Sequence, residues 1–154
     1  MNRIGLVNEE VKELSVQLND LLANYQIFYM NVRGFHWNIK GDKFFELHVK
    51  FEELYNDILL KVDEIAERVL TLGESPVHSY TSYISSSEIQ EVVGATDANT
   101  TVGTILDGLE VLIKKQRVLL DLSDRYGDEG TNALMSDYIR EQEKLVWMYT
   151  AFMG

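Results

Sequence analysis

The sequence predicts an all-α fold, a bundle of four long helices with one long crossover link that carries a short helix between helices two and three. The chain has 154 residues and a single Pro, so almost nothing in it prevents helix formation. Apolar residues recur three and four positions apart over four long stretches, which is the period of an amphipathic helix. Residues 74 to 100 lack that period and are rich in Ser and Thr, so they form the link.

Helix one is predicted over residues 7 to 37 and helix two over residues 43 to 72, with a turn at Gly41 and Asp42 between them. Gly73 is expected to cap helix two, because glycine readily adopts the left-handed conformation that ends a helix. The apolar stripe of helix one consists of Val11, Leu14, Leu18, Leu21, Tyr25, Phe28 and Val32. That of helix two consists of Phe44, Leu47, Phe51, Leu54, Ile58, Val62, Ile65 and Val69.

A short helix is expected around residues 79 to 84, since a link this long is seldom without structure inside a compact domain. Helix three is predicted over residues 101 to 126 and helix four over residues 129 to 153. Their stripes are Val102, Ile105, Leu109, Leu112 and Leu119, and then Leu134, Tyr138, Leu145, Met148 and Phe152. Because a long crossover lets helices two and three run parallel, we expect a ferritin-like bundle formed by residues 1–154 as one domain.

The composition narrows the class of protein. Lys and Arg number 14 against 25 Asp and Glu, a net charge of −11, and such a surface repels nucleic acid and attracts cations. The absence of Cys excludes disulfides and thiolate metal ligands. The N-terminus has no apolar signal segment, and no apolar run is long enough to span a membrane, so a cytoplasmic location is expected.

Two of the three His residues flank the turn between helices one and two. His36 and His48 can face one another across the bend if the two helices fold back on each other. Glu52 follows His48 by four residues, so it lies on the same helix face. Imidazole and carboxylate groups are ligands that iron, manganese and zinc accept. The alternative, that each His is a hydrogen-bonded structural residue, stays open on this pattern alone.

Asp63 and Glu67, four residues apart, form a second pair of potential metal ligands. Their neighbours in the sequence are apolar, and a charge that is buried among apolar groups needs a partner. A rise of about 1.5 Å per residue places His48 and Asp63 about 22 Å apart along one helix, which no single metal spans. A symmetric dimer would set His36, His48 and Glu52 of one subunit against the carboxylate pair of the other. The spacing therefore predicts two equivalent metal sites at a two-fold interface.

Other candidates are less specific. An acidic cluster between helices three and four is either a solvated turn or a cation funnel formed by several copies, and its members are Asp121, Asp124, Asp128 and Glu129. His78 has no carboxylate at ligand spacing and is expected to be structural or on the surface. Trp37 is expected in an interface or in the core.

The order and spacing of these residues resemble the Dps proteins (DNA-binding proteins from starved cells), the mini-ferritins. The motif consists of His36-Trp37-Asn38 with Gly41, then Leu47-His48, then Asp63-Glu64-Ile65-Ala66-Glu67-Arg68. The resemblance continues through Gly73-Glu74-Ser75-Pro76 to Trp147-Met148 and so covers nearly the whole chain.

The resemblance implies a ferroxidase with a di-iron site between two-fold-related subunits, where Zn or Mn could substitute. Its metal-binding and catalytic residues would be His36, His48 and Glu52 from one subunit with Asp63 and Glu67 from the other. Glu52 stands where many members have Asp. Members form hollow shells of twelve subunits, oxidise Fe(II), usually with hydrogen peroxide rather than dioxygen, and store the ferric mineral. Such activity protects the cell from oxidative damage.

Members that bind DNA directly commonly use a flexible basic tail. Residues 1 to 20 here hold Arg3 and Lys12 against four carboxylates, and the chain ends directly after helix four. Because DNA affinity needs clustered cations, we expect direct binding to be weak or absent. The alternatives are a nucleoid-binding protective protein with secondary metal binding, and a helical scaffold in which the His and carboxylate groups are incidental.

Overall fold

Five helices and no strand make up the chain in the computed structural model, which describes all 154 residues. The helices are α1 (Asn8–Asn38), α2 (Phe44–Thr71), α3 (Tyr80–Ser86), α4 (Ala98–Arg125) and α5 (Glu129–Met153). The predicted all-α bundle, with a short helix in the link, is confirmed. No helix is both long and apolar enough to cross a membrane.

Helix ends follow local capping chemistry. α4 begins three residues before its predicted start because the Asp97 side chain accepts a hydrogen bond from the Thr100 N–H, 2.9 Å away. Gly73 ends α2 as predicted, with φ at +97°, and the next N–H donates to the Val69 carbonyl over 3.1 Å. This pattern satisfies carbonyl groups that the helix end leaves without partners.

The apolar stripes of α1 and α4 are buried at every predicted position, and they pack with α2 in one core. The prediction for α5 was partly wrong. Its buried apolar residues are Met135, Tyr138, Ile139 and Tyr149, whereas Met148 and Phe152 are 38% and 37% exposed. Apolar residues surround most of the last turns of α5, so the helical period there does not select one face.

The crossover link is held against α1 by three carboxamide side chains. The Asn24 Oδ1 accepts hydrogen bonds from the N–H groups of Glu88 and Ile89, each over 3.0 Å. Asn31 and Asn19 make equivalent contacts with backbone groups further along the link and near its start. These bonds satisfy backbone groups of a segment that has little secondary structure of its own.

We expect Asn24→Ala to lower the free energy of unfolding by about 1–3 kcal/mol, because it leaves the buried N–H of Ile89 and the part-buried N–H of Glu88 without an acceptor. Urea unfolding followed by circular dichroism measures the change. Asn99→Ala, at an exposed position in the first turn of α4, is the matched control and should stay near wild type. Equal stability of the two variants would contradict this role for Asn24.

Candidate metal centre

His36 and His48 face each other across the α1–α2 turn, as their spacing predicts. Their rings are stacked, with centroids 3.9 Å apart and planes inclined by 13°. The Nδ1 of His36 lies 2.6 Å from the His48 carbonyl oxygen, and the Nδ1 of His48 lies 2.7 Å from the His36 carbonyl oxygen. Because a carbonyl oxygen only accepts, each Nδ1 carries a hydrogen, and in the neutral ring each Nε2 keeps its lone pair. Each Nε2 is therefore available as a ligand for a metal ion.

The turn that brings the two rings together has its own contacts. Ile39, 2% exposed, follows the last residue of α1, and its N–H donates to the Phe35 carbonyl over 2.9 Å. The Lys40 N–H then donates to the Thr96 carbonyl in the link, 2.8 Å away. Gly41 takes a φ of +109°, which a side chain would strain, and the chain reverses into α2.

Aromatic rings surround the His pair. Phe44 stacks on His48 with centroids 4.9 Å apart, and Tyr55 meets His36 edge-on at 5.3 Å. Tyr55 lies seven residues after His48, two turns along the same helix face, and that spacing is the one sequence signal for its place beside the site. These contacts restrict the rotation of both imidazoles.

Arg33 adds a positive charge beside the pair. Its guanidinium carbon lies 5.1 Å from the Tyr55 ring centroid and 5.2 Å from that of Trp37, and it donates a hydrogen bond to the Tyr29 hydroxyl. No carboxylate lies within ion-pair distance of Arg33. Trp37 is 58% exposed, so it is not a core residue, and its place in an interface stays a prediction. Arg33 belongs to no metal-ligand pattern, so the sequence does not reveal its place beside the His pair, and Tyr55 is indicated only by its spacing from His48.

A single chain does not bring the three carboxylates predicted as ligands together with the His pair in one group. Glu52, Asp63 and Glu67 are exposed, and none of them makes an ion pair or a side-chain hydrogen bond within the chain. The apolar neighbours of Asp63 and Glu67 thus do not bury them in one chain. No three His, Asp or Glu side chains of a single chain form a group that could hold a metal. Convergence of all five residues stays a prediction that requires a second subunit.

The interior of the bundle offers no alternative site. Tyr25 donates to Gln116, the Gln116 amide donates to Gln142 over 2.7 Å, and the Gln142 amide donates back to the Tyr25 hydroxyl over 2.6 Å. All three are buried, and burial raises the pKa of Tyr25, so its hydroxyl stays protonated. These buried polar groups bond to each other and include no carboxylate.

The acidic cluster between α4 and α5 divides into two kinds of residue. Asp128 is 2% exposed, and its side chain accepts from the Thr131 N–H at 3.0 Å and pairs with Arg68 at 2.6 Å. Asp128 is therefore a helix cap and a buried ion-pair partner, and its inclusion in the possible cation funnel was wrong. Asp121, Asp124 and Glu129 are exposed and stay candidates for the cation funnel.

His78 is exposed, with its Nδ1 3.1 Å from the Pro76 carbonyl, in line with a surface role.

Comparison with known proteins identifies the family of this fold. The family profile described as a ferritin-like domain matches residues 16–154. The DNA protection during starvation protein of Porphyromonas gingivalis is 39% identical over 148 residues, which cover 96% of this chain and 93% of that protein. The Dps protein from Bacillus brevis, a solved structure, is 34% identical with a TM-score of 0.91, covering 95% of this chain and 98% of that one.

A crystal structure from Vibrio cholerae O1 is similar over the whole chain, with 52% identity, a TM-score of 0.98, and coverage of 100% of this chain and 97% of that one. It is described as a Dps protein in a broad superfamily of ferritin-like diiron-carboxylate proteins. The bundle and its matching profile define the chain as a ferritin-like protein. Within that class, the chain belongs to the Dps family.

Proposed function

We propose that two copies of this chain form a symmetric dimer with two iron-oxidising sites, and that such dimers build a hollow shell of twelve subunits that stores ferric iron. The observation that carries the proposal is the His36–His48 pair, in which each Nδ1 donates to a carbonyl and each Nε2 is left free for Fe(II). Iron is the substrate at this site, and the carboxylates that complete it are Glu52, Asp63 and Glu67.

The outward face of α2 supports the dimer. It carries large apolar side chains that are between 48% and 83% exposed, namely Phe45, Val49, Leu59, Leu60 and Leu70. They are interleaved at helical spacing with the three candidate carboxylates. Large apolar side chains left exposed along one face of a long helix mark an interaction surface. A second copy would cover the stripe and bring its own carboxylates to the site.

The register of such a dimer follows from the residue numbers. In an antiparallel pair of α2 helices, His48 can lie opposite Glu67 of the partner subunit, and Glu52 opposite Asp63 of the partner subunit. Both pairs have the same midpoint in sequence, between Asp57 and Ile58, so one two-fold axis brings both together. Leu59 and Leu60, the exposed apolar side chains nearest that axis, would then pack against the α2 helix of the partner.

The ligand chemistry suits oxidation of Fe(II). Imidazole and carboxylate ligands accept iron and leave coordination positions open for an oxidant. Carboxylates stabilise the more highly charged Fe(III) product and so favour its formation. Two adjacent Fe(II) ions can each give one electron to the same peroxide molecule, so that no hydroxyl radical is released. An acidic protein with a net charge of −11 would also attract further iron and support mineral growth.

Direct DNA binding is not part of the proposal. The relative from Porphyromonas gingivalis is named for DNA protection, and we propose that this chain protects by removing iron and peroxide. Residues 1 to 20 of the present chain hold two cationic side chains against four carboxylates, and the net negative charge of the chain opposes contact with DNA phosphates. A gel-shift assay at low salt should show weak binding or none, and tight binding there would contradict this part of the proposal.

Peroxide titration of the wild-type protein tests the proposed activity. Fe(II) is added to metal-free protein without oxygen, peroxide follows, and ferric absorbance is recorded alongside the molar mass from light scattering. We expect rapid oxidation at about one peroxide per two Fe(II) ions, faster than with dioxygen, by a particle of shell size. Oxidation no faster than in protein-free buffer would contradict the proposed activity and leave the two alternatives, a nucleoid-binding protein and a helical scaffold.

A further inference from the structure

Arg33 is a cation that its own chain leaves without a counterion. Three aromatic rings hold the guanidinium, whose carbon lies 5.8 Å from the Tyr29 ring centroid, 5.2 Å from that of Trp37 and 5.1 Å from that of Tyr55. Nη1 donates to the Tyr29 hydroxyl, and Nε is buried without a hydrogen-bond partner. Nη2 bonds to no group and remains open to solvent. The group can therefore still give a charge-assisted hydrogen bond to an anion outside its own chain.

The contacts between α1 and α2 give the level of Arg33 along α2. The two helices are antiparallel, and the ring pairs His36–His48 and Tyr29–Tyr55 lie on either side of Arg33 along α1. Arg33 is three residues before His36, so its backbone is level with the residue three positions after His48. The guanidinium is thus beside the first half of α2, where the proposed iron ligands of that helix begin.

Arg33 lies at the edge of the outward face of α2. The Tyr55 ring that it contacts is three residues after Glu52 and four before Leu59, and both of those side chains are exposed. In the proposed register Glu52 lies opposite Asp63 of the partner subunit. Asp63 of the same chain cannot reach Arg33, because twelve residues of helix separate their levels, a distance of about 18 Å.

The proposed dimer needs a cation at this place before iron binds. Each site would bring Glu52 of one subunit together with Asp63 and Glu67 of the partner subunit, three carboxylates beside two neutral imidazoles. Like charges that meet at an interface repel, and the repulsion grows as water is excluded. Arg33 is held beside each site by its aromatic neighbours and has no competing carboxylate in its own chain.

We propose that in the metal-free dimer Arg33 forms an ion pair with Asp63 of the partner subunit, and that this carboxylate is released to Fe(II) when iron binds. The inference rests on the proposed function, because the dimer and its register belong to it. Arg33 stabilises the empty site and lowers its affinity for Fe(II), since iron must compete with the guanidinium for Asp63. Arg33 is thus a positioning residue, which holds a ligand across the interface without contacting iron.

Urea-induced dissociation of the metal-free assembly, followed by light scattering, tests the ion pair. Arg33→Gln should lower the urea midpoint in the wild-type background and clearly less in an Asp63→Asn background, where the pair is already absent. Glu52→Gln removes the same charge from Arg33's own chain, so as the matched control background it should leave the cost of Arg33→Gln nearly unchanged. Arg33→Asp/Asp63→Arg should recover much of the stability that either reversal loses alone, because the pair is restored with its signs exchanged.

Fe(II) binding without oxygen, measured by isothermal titration calorimetry, gives an independent readout. Arg33→Gln should bind Fe(II) about fivefold more tightly, because a positive charge beside the site is removed. Arg33→Lys, which keeps the charge, should stay closer to wild type. A residue that only packed the His36 ring in place would weaken Fe(II) binding when replaced, so the direction of the change separates the two roles.

Three outcomes would count against the inference. In an assembled protein, additive effects of Arg33→Gln and Asp63→Asn, or no recovery in the charge-exchanged variant, would overturn the ion pair. Weaker Fe(II) binding by Arg33→Gln would overturn the competition with iron. A wild-type chain that stays monomeric in light scattering would instead overturn the proposed dimer, and this inference with it.

Discussion

Asp63→Asn/Glu67→Gln is expected to lose rapid oxidation of Fe(II) by peroxide, by at least about 100-fold in initial rate, with the fold retained. Both side chains are exposed and bond to nothing within the chain, so the amides cost little stability. The two substitutions nevertheless remove two of the negative charges that would stabilise Fe(III). Stopped-flow measurement of ferric absorbance gives the rate. Asp137→Asn/Glu143→Gln, at exposed positions of α5, removes the same charge and should oxidise like wild type.

Mixed assemblies decide whether the ligands come from two chains. A His48→Gln chain keeps both carboxylates, and the Asp63→Asn/Glu67→Gln chain keeps both His residues. Each alone should be inactive. Random pairing of the two chains in one co-expressed assembly should restore about a quarter of the sites, because one of the two sites in every mixed dimer is intact. No recovery in a purified assembly that contains both chains would argue against a site shared between subunits.

Leu59→Glu/Leu60→Glu is expected to dissociate the two-fold dimer and with it the shell. They are the exposed apolar side chains nearest the proposed axis, so each dimer would lose four buried leucines, and burying one contributes about 1.5–3 kcal/mol. The new carboxylates would also repel their own copies across the axis. Size-exclusion chromatography with light scattering should show a smaller species, while circular dichroism should still show the helical chain.

Val118→Glu is the matched control for the dimer prediction, since Val118 is 55% exposed but lies on α4 rather than α2. It should keep the assembly state of wild type. Iron oxidation should fall together with assembly in the leucine variant, because each site needs the partner subunit. A fully assembled leucine variant would rule out the proposed axis.

The helices and the His pair could be predicted because their causes are local. Apolar residues at helical period define α1, α2 and α4, and Gly41 and Gly73 mark ends where left-handed backbone is required. His36 and His48 face each other because both lie close to one turn, so a short bend determines their approach. The N-cap at Asp97 is also a local signal, and it accounts for the earlier start of α4.

Other features depend on residues far apart in the chain. The phase of α5 was mispredicted because several of its faces are apolar, and only packing against α2 and α4 selects among them. Asp128 lies in an acidic run, yet its burial against Arg68, sixty residues earlier, makes it structural. No local sequence pattern predicts the contacts of Asn24 with the link or the position of Arg33 beside Tyr55.

The sequence by itself determined an all-α bundle, its helix order and the residues with metal-ligand chemistry, because helical period and turn chemistry act over a few residues. Only the tertiary structure decided that both His residues direct Nδ1 at a carbonyl and leave Nε2 free. It also decided that Glu52, Asp63 and Glu67 lie on an outward face with no partner in their own chain. The physical reason is that burial and hydrogen bonding depend on which distant segments meet, which no short stretch of sequence encodes.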